Sequence, residues 1–204
     1  MSESLTRRTL LTGGVALGAV SLAPAVFTAP AEAATAAEQY VARVGKSILG
    51  VASGSGSVSQ KKSKFRSLMR SNAAITTIGV FSLGRYKSKL KSSQRSEYFR
   101  LVEVFVAGLF IKYIKEFSGD RLEITGSKQR SSKEILVSSK VHFSGGRAPL
   151  DVRWRLIKSG GGYKIFDIRV LGIWLAIQQR TEFVSVIKKN NGDVGALLTF
   201  LRGS

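Results

Sequence analysis

Apolar residues recur at helical spacing early in the chain, at Tyr40, Val41, Val44, Ile48 and Val51. Gly54-Ser55-Gly56-Ser57 interrupts that run. A basic helix is predicted from Ser59 to Thr77, carrying Lys61, Lys62, Lys64, Arg66 and Arg70 with Phe65, Leu68 and Met69 as its apolar members. A short helix from Val80 to Tyr86 leads into a basic turn with Arg85, Lys87, Lys89 and Lys91. The next helix, about Ser93 to Phe117, carries a stripe of Tyr98, Leu101, Val102, Phe105, Leu109 and Tyr113. Within it, residues 104–111 are apolar on every side. Such a helix is buried on more than one face, with helices on one side and a sheet or pocket on the other.

After Ser118-Gly119-Asp120 the period changes to two. Leu122 and Ile124 begin one strand and Ile135–Phe143 forms another. Val152, Trp154 and Leu156 face one way and Arg153 and Arg155 the other. Strict alternation then puts Phe166, Ile168 and Val170 on one face and Ile165, Asp167 and Arg169 on the other. Gly145-Gly146 and Gly160-Gly161-Gly162 fall between strands, where hairpin turns belong. The pattern predicts a four-stranded antiparallel meander with one wet face. Helical spacing returns at Ile173, Ile177, Arg180, Phe183, Val184 and Ile187, and a last short helix carries Val194, Leu197, Leu198 and Leu201. Helices, a meander and helices again predict a single α+β domain.

Composition adds two constraints. The chain contains no cysteine, which excludes disulfides, thiolate metal sites and cysteine nucleophiles. Lys and Arg number 32 against 13 Asp and Glu, a net charge of +19. A field of that sign attracts nucleic acid, anionic lipid surfaces or an acidic protein.

The N-terminus ranks those partners. Arg7-Arg8 precedes an uncharged stretch from Thr9 to Ala31, and Ala31-Glu32-Ala33 supplies a small-x-small cleavage site. The stretch is only mildly apolar, as in twin-arginine signals for folded proteins. We therefore expect residues 1–33 to be a cleaved twin-arginine signal and residues 34–204 the exported domain, with an uncleaved anchor as the alternative. Export places nucleic acid below lipid headgroups and an acidic docking partner. Aromatic residues are not interleaved with the basic runs as stacking platforms would be.

Catalytic chemistry is sparse. The single histidine, His142, lies between Val141 and Phe143 on a strand with no nucleophile elbow elsewhere. No metal-ligand spacing, P-loop or dinucleotide fingerprint is present, and Gly160-Gly161-Gly162 leads into no helix N-terminus that would cradle phosphate. Asp167 stands among Ile165, Phe166 and Ile168. A carboxylate in such surroundings can act as a base. The plainer reading is an ion pair with Arg169 or Arg153.

Several segments together carry a resemblance. Val152-Arg153-Trp154-Arg155-Leu156, Gly162-Tyr163-Lys164-Ile165-Phe166-Asp167-Ile168, Gly172 and Gln178-Gln179-Arg180-Thr181-Glu182-Phe183 resemble the MlaC family, also known as the toluene-tolerance family. Phe81-Ser82-Leu83-Gly84-Arg85-Tyr86, the segment from Glu97 to Tyr113, Phe117-Ser118-Gly119 and the final stretch from Gly195 to Arg202 resemble its other elements. The chain departs from the pattern at Ile173-Trp174, where relatives often carry a small or hydroxyl residue. The resemblance implies a cone similar to nuclear transport factor two, with a curved sheet, wrapping helices and an apolar cavity. It implies a non-enzymatic periplasmic carrier without a cofactor or metal. The ligand would be a phospholipid, or another membrane lipid such as a hopanoid. The implied partners are an outer-membrane lipoprotein complex and an inner-membrane ABC transporter complex, the joint task being outer-membrane lipid asymmetry. Transient contact with an anionic membrane surface fits the charge, and nucleic acid is not expected.

A lipid carrier needs a long apolar cavity with a polar mouth. Each buried methylene contributes roughly 0.8 kcal/mol. The expected lining is Phe81, Leu83, Val102, Phe105, Val106, Leu109, Phe110, Tyr113, Ile124, Val141, Phe143, Val152, Trp154, Phe166, Ile168, Val170, Ile173 and Ile177. Arg85, Lys87 and Arg147 are candidate cations at the mouth or a docking face. The alternative function is an enzyme on the same fold that uses Asp167 as general base on a small apolar substrate.

Overall fold

The computed structural model describes the backbone of residues 29–204 and the side chains of residues 34–204 other than Phe117. The expected signal up to residue 28 lies outside the described residues. Helix α1 (Ala29–Ser53) buries Ala37, Val41, Val44 and Leu49, which share one face at helical spacing. Helix α2 (Val58–Asn72) begins in a capping box. The Ser57 hydroxyl accepts from the Gln60 amide (3.2 Å) and the Gln60 side chain accepts from the Ser57 amide (2.8 Å). Helix α3 (Ile75–Ser82) and a 3-10 turn (Gly84–Lys89) lead to α4 (Ser92–Lys112). A second 3-10 turn (Ile114–Phe117) enters the sheet.

The sheet is a meander of five antiparallel strands in sequence order: β1 (Arg121–Ser131), β2 (Glu134–His142), β3 (Leu150–Ser159), β4 (Gly162–Val170) and β5 (Ile173–Trp174). Helices α5 (Leu175–Lys189) and α6 (Val194–Arg202) close the fold. The β3–β4 turn has φ of +55° at Gly160 and +77° at Gly161, the two positive angles of a type I′ hairpin. The β4–β5 turn repeats this with Leu171 at +51° and Gly172 at +83°.

The α+β class is as expected, and several details differ from the hydropathy reading, the first being that the long helix ends at Lys112 rather than Phe117. The expected helix Ser59–Thr77 is two helices. At Ala73 the chain becomes extended and pairs with Ile165, and the Ala74 amide donates to the Ile165 carbonyl (2.9 Å). The short helix correspondingly starts before Val80, at Ile75. The sheet has five strands rather than four, because Ile173–Trp174 turns back on β4 before α5 starts. Finally, β4 is bulged. Leu156 pairs with Ile165 while Arg155 pairs with Asp167, so Phe166 is the extra residue. Ile165, not Phe166, therefore joins Leu156, Trp154, Val152 and Val170 in the core.

Two cores result. One lies between α1 and the sheet, with Val41, Val44, Val137, Trp154, Leu156 and Ile165. There the Trp154 indole donates to the Ser139 hydroxyl (2.8 Å), which donates to the Val152 carbonyl (3.2 Å). The other is helical, joining Leu83, Tyr98, Leu101, Phe105, Phe183, Ile187, Leu197 and Leu201. Among the described residues no helix is long and apolar enough to cross a membrane.

Candidate ligand cavity

A cavity of about 100 Å³ is walled by residues from α1 to α5 and by β4. Helix α1 contributes Val44 and Ile48, α2 contributes Phe65, Leu68, Met69 and Asn72, and Ala73, Ile75 and Ile78 continue that wall. Helix α4 supplies Val102 and Val106. Strand β4 supplies Ile165, Phe166, Asp167 and Ile168, and α5 supplies Leu175, Ala176 and Gln179. The β4 bulge explains how four consecutive residues of one strand reach the same space. The lining is apolar except for Asn72, Asp167 and Gln179.

Helix α2 forms a wall with a polar outer face and few apolar anchors. Its Phe65 ring stacks on Phe110 of α4, with centroids 3.8 Å apart. Beside that stack, Glu103 is buried and accepts from Arg66 (2.7 Å) and Arg70 (2.9 Å), both on α2. Burial raises the Glu103 pKa, but the hydrogen bonds from Arg70 and Arg66 and their charges outweigh it and hold the carboxyl below its ordinary range. Lys61 of α2 donates to the Ala52 carbonyl (2.8 Å), and the Tyr40 hydroxyl donates to the Asn72 carbonyl (2.9 Å).

Asp167 is 3% exposed. Its Oδ1 accepts from the amides of Ile168 and Ala176, each at 2.8 Å, so it ties the bulge to the first turn of α5. No ion pair to Arg153 or Arg169 forms; Arg169 donates to the Gly172 carbonyl (3.0 Å) and Arg155 holds Glu134 (2.9 Å). Burial pushes the Asp167 carboxyl above its ordinary range, against the amides of Ala176, Ile168 and Leu175 and the charge of Arg155. An aromatic pair adjoins it: Phe81 meets Phe166 edge-on (5.3 Å). Arg180 lies over the Phe81 ring (4.8 Å) and Arg155 over the Phe166 ring (5.0 Å).

The expected lining residues are distributed as follows. Val102, Val106, Phe166 and Ile168 line the cavity, with Phe81 and Phe110 directly behind Phe166 and Phe65. Leu83, Phe105 and Leu109 pack in the helical core. Ile124, Val141, Phe143, Val152, Trp154 and Val170 pack in the sheet core. Tyr113, Ile173 and Ile177 are exposed. Of the candidate cations, Arg147 pairs with Glu116 and covers the Phe143 ring (4.0 Å), while Arg85 and Lys87 are exposed on the 3-10 turn. His142 hydrogen-bonds Glu123 (2.6 Å), neither of which lines the cavity. Among the described residues no cluster of histidine and acidic side chains is arranged to hold a metal ion.

Residues 41–203 match a family model described as MlaC protein. No curated protein matches significantly. Among solved structures, a Ralstonia solanacearum protein described as phospholipid-binding, in complex with a phospholipid, shares the fold. It is 20% identical, covering 82% of this chain and 95% of that chain, with a TM-score of 0.71.

Proposed function

This chain belongs to the MlaC family, and from that membership we propose that it is a periplasmic carrier that binds a phospholipid and shuttles it between outer- and inner-membrane complexes. The observation that carries the reading is the cavity, where eighteen residues from five helices, a strand and the Ala73 link present only three polar side chains. The similar Ralstonia solanacearum structure holds a phospholipid within the same fold. An excess of nineteen positive charges suits approach to anionic headgroups. Export by the twin-arginine route and an outer-membrane lipoprotein partner and an inner-membrane ABC transporter partner belong to the same proposal.

The cavity volume adds a mechanical requirement. An apolar cavity of ~150 Å³ accommodates one benzene, and about 100 Å³ is smaller. Full enclosure of acyl chains therefore requires a wall to move. Helix α2 is the wall with the most polar anchors, held by the Glu103 pairs and the Phe65–Phe110 stack. Its displacement would join the cavity to the apolar flanks of α4 without breaking either core.

Lipid extraction and native mass spectrometry of the purified protein test this. Bound phospholipid is expected, and Val106→Trp, which fills the cavity, should lower its occupancy at least fivefold while the protein remains folded. A wild-type protein that is empty after purification and after incubation with vesicles would refute the reading.

The enzymatic alternative has one observation in its favour, the buried Asp167 in the cavity wall. The lining supplies no nucleophile and no second acid–base group beside it. Its Oδ1 is committed to two backbone amides. Binding without turnover is the better use of this wall.

A further inference from the structure

The three polar side chains of the cavity are satisfied to different degrees. Asn72 donates to the Leu68 carbonyl (2.9 Å). Asp167 accepts at Oδ1 from the Ile168 and Ala176 amides with the Leu175 amide also facing the carboxyl, and its Oδ2 makes no hydrogen bond within the protein. Gln179 lies one turn along α5 from Ala176, and its Nε2 also has none. The two side chains are 3% and 5% exposed and line the same cavity. Buried polar groups in folded proteins are paired, so two unpaired atoms in one apolar wall point to a polar group supplied from outside.

The chemistry of the two atoms narrows that group. A carboxylate oxygen accepts and an amide nitrogen donates. A phosphate only accepts and repels Asp167. A primary ammonium only donates and leaves Gln179 unpaired. A quaternary ammonium offers no N–H to Asp167 and no lone pair to Gln179. A hydroxyl donates to the Asp167 oxygen and accepts from the Gln179 amide through one oxygen. We propose that Asp167 and Gln179 form an anchor for a hydroxyl of the bound lipid, so that the cavity favours alcohol-bearing lipids over otherwise identical ones. This rests on the lipid-carrier reading above.

Two matched pairs of dioleoyl lipids test it and separate the sources of the hydroxyl. Phosphatidylglycerol against phosphatidylpropanol compares equal charge and headgroup length with and without headgroup hydroxyls. Dioleoylglycerol against its methyl ether does the same at the glycerol backbone. Delipidated protein is incubated with each equimolar pair in detergent micelles, and bound lipid is counted by native mass spectrometry. The wild type should favour the alcohol by about tenfold in at least one pair, the scale of one hydrogen bond. The pair that responds identifies the source. Asp167→Asn keeps the Oδ1 acceptor and turns the free acceptor into a donor. Gln179→Met keeps the chain length and removes the donor. Each should reduce the preference to less than twofold, with circular dichroism confirming that the variants are folded. Equal uptake of both members of both pairs by the wild type overturns the anchor while leaving the carrier intact. A preference that persists in both variants overturns it as well. Failure of the wild type to take up any of the four lipids overturns the carrier reading and the anchor together.

Discussion

Replacing Glu103 with Gln should loosen α2 selectively. The carboxylate, with 9% of its side chain exposed, accepts charge-assisted bonds of 2.7 and 2.9 Å from Arg66 and Arg70. Glutamine retains one acceptor and loses the charge. A hydrogen bond to a charged group contributes about 1.5–3 kcal/mol and a neutral one about 0.5–1.5 kcal/mol. The two arginine side chains are 31% and 60% exposed, so they regain hydration when released. The net loss is therefore about 1–2 kcal/mol, or a 5- to 30-fold rise in the open population. Hydrogen exchange should accelerate by that factor in residues 58–72 and much less in β2 and β3. Transfer of a fluorescent phospholipid between protein and vesicles should quicken by a comparable factor. Acid provides an independent check. The folded Glu103 pKa is lowered, so its stabilisation is present at neutral pH and is lost as pH falls through the lowered value. Glu103→Gln should lack that acid-dependent part of α2 opening. If exchange in α2 and the sheet rose together, or if lipid transfer stayed at the wild-type rate, α2 would not be the moving wall.

Other substitutions probe the frame. A side-chain carbon at buried Gly119 would collide with Val141 and lie 2.8 Å from the His142 carbonyl, so Gly119→Ala should cost at least about 2 kcal/mol in urea unfolding. Gly50, in α1, has open space around it, and Gly50→Ala should add about 0.5–1 kcal/mol by the same measurement. Leu171 is 64% exposed with φ of +51°, so Leu171→Gly should leave the thermal midpoint unchanged or raised; a fall of several degrees would show that this side chain packs.

The helices and strands were legible because each has one dominant period. In α1, Val41 and Val44 are buried as their spacing requires, and Val152, Trp154 and Leu156 point into the sheet core. What periodicity missed were contacts set by distant partners. The end of α2 at Ala73 depends on a bridge to Ile165. No local signal separates Ser59–Asn72 from the run that follows it. Likewise, β5 is two residues long, and Ile173 and Trp174 pair with Val170 and Arg169 through a turn that places a leucine at positive φ. A leucine is an unusual choice there, so the hairpin carried no turn signature.

The cavity was harder to foresee than the fold, for a reason visible in β4. Lining and core draw on the same apolar residues, so hydropathy alone does not separate Trp154, which packs under α1, from Val106, which faces the cavity. Within β4 the extra residue at Phe166 decides which side chains reach the cavity. Without the bulge, Asp167 would follow Ile165 and Phe166 in strict alternation, on the face away from Phe166. With it, Phe166 and Asp167 both join Ile165 and Ile168 in the cavity wall, and Asp167 meets the first turn of α5. That contact in turn places Gln179 one helical turn further along the same wall. One irregular residue thus connects the two polar side chains whose free atoms give the cavity its chemical preference. A deletion that restored regular pairing in β4 should preserve a sheet while abolishing lipid selectivity. Its measure is the paired-lipid competition, and retained selectivity would show that the bulge is incidental.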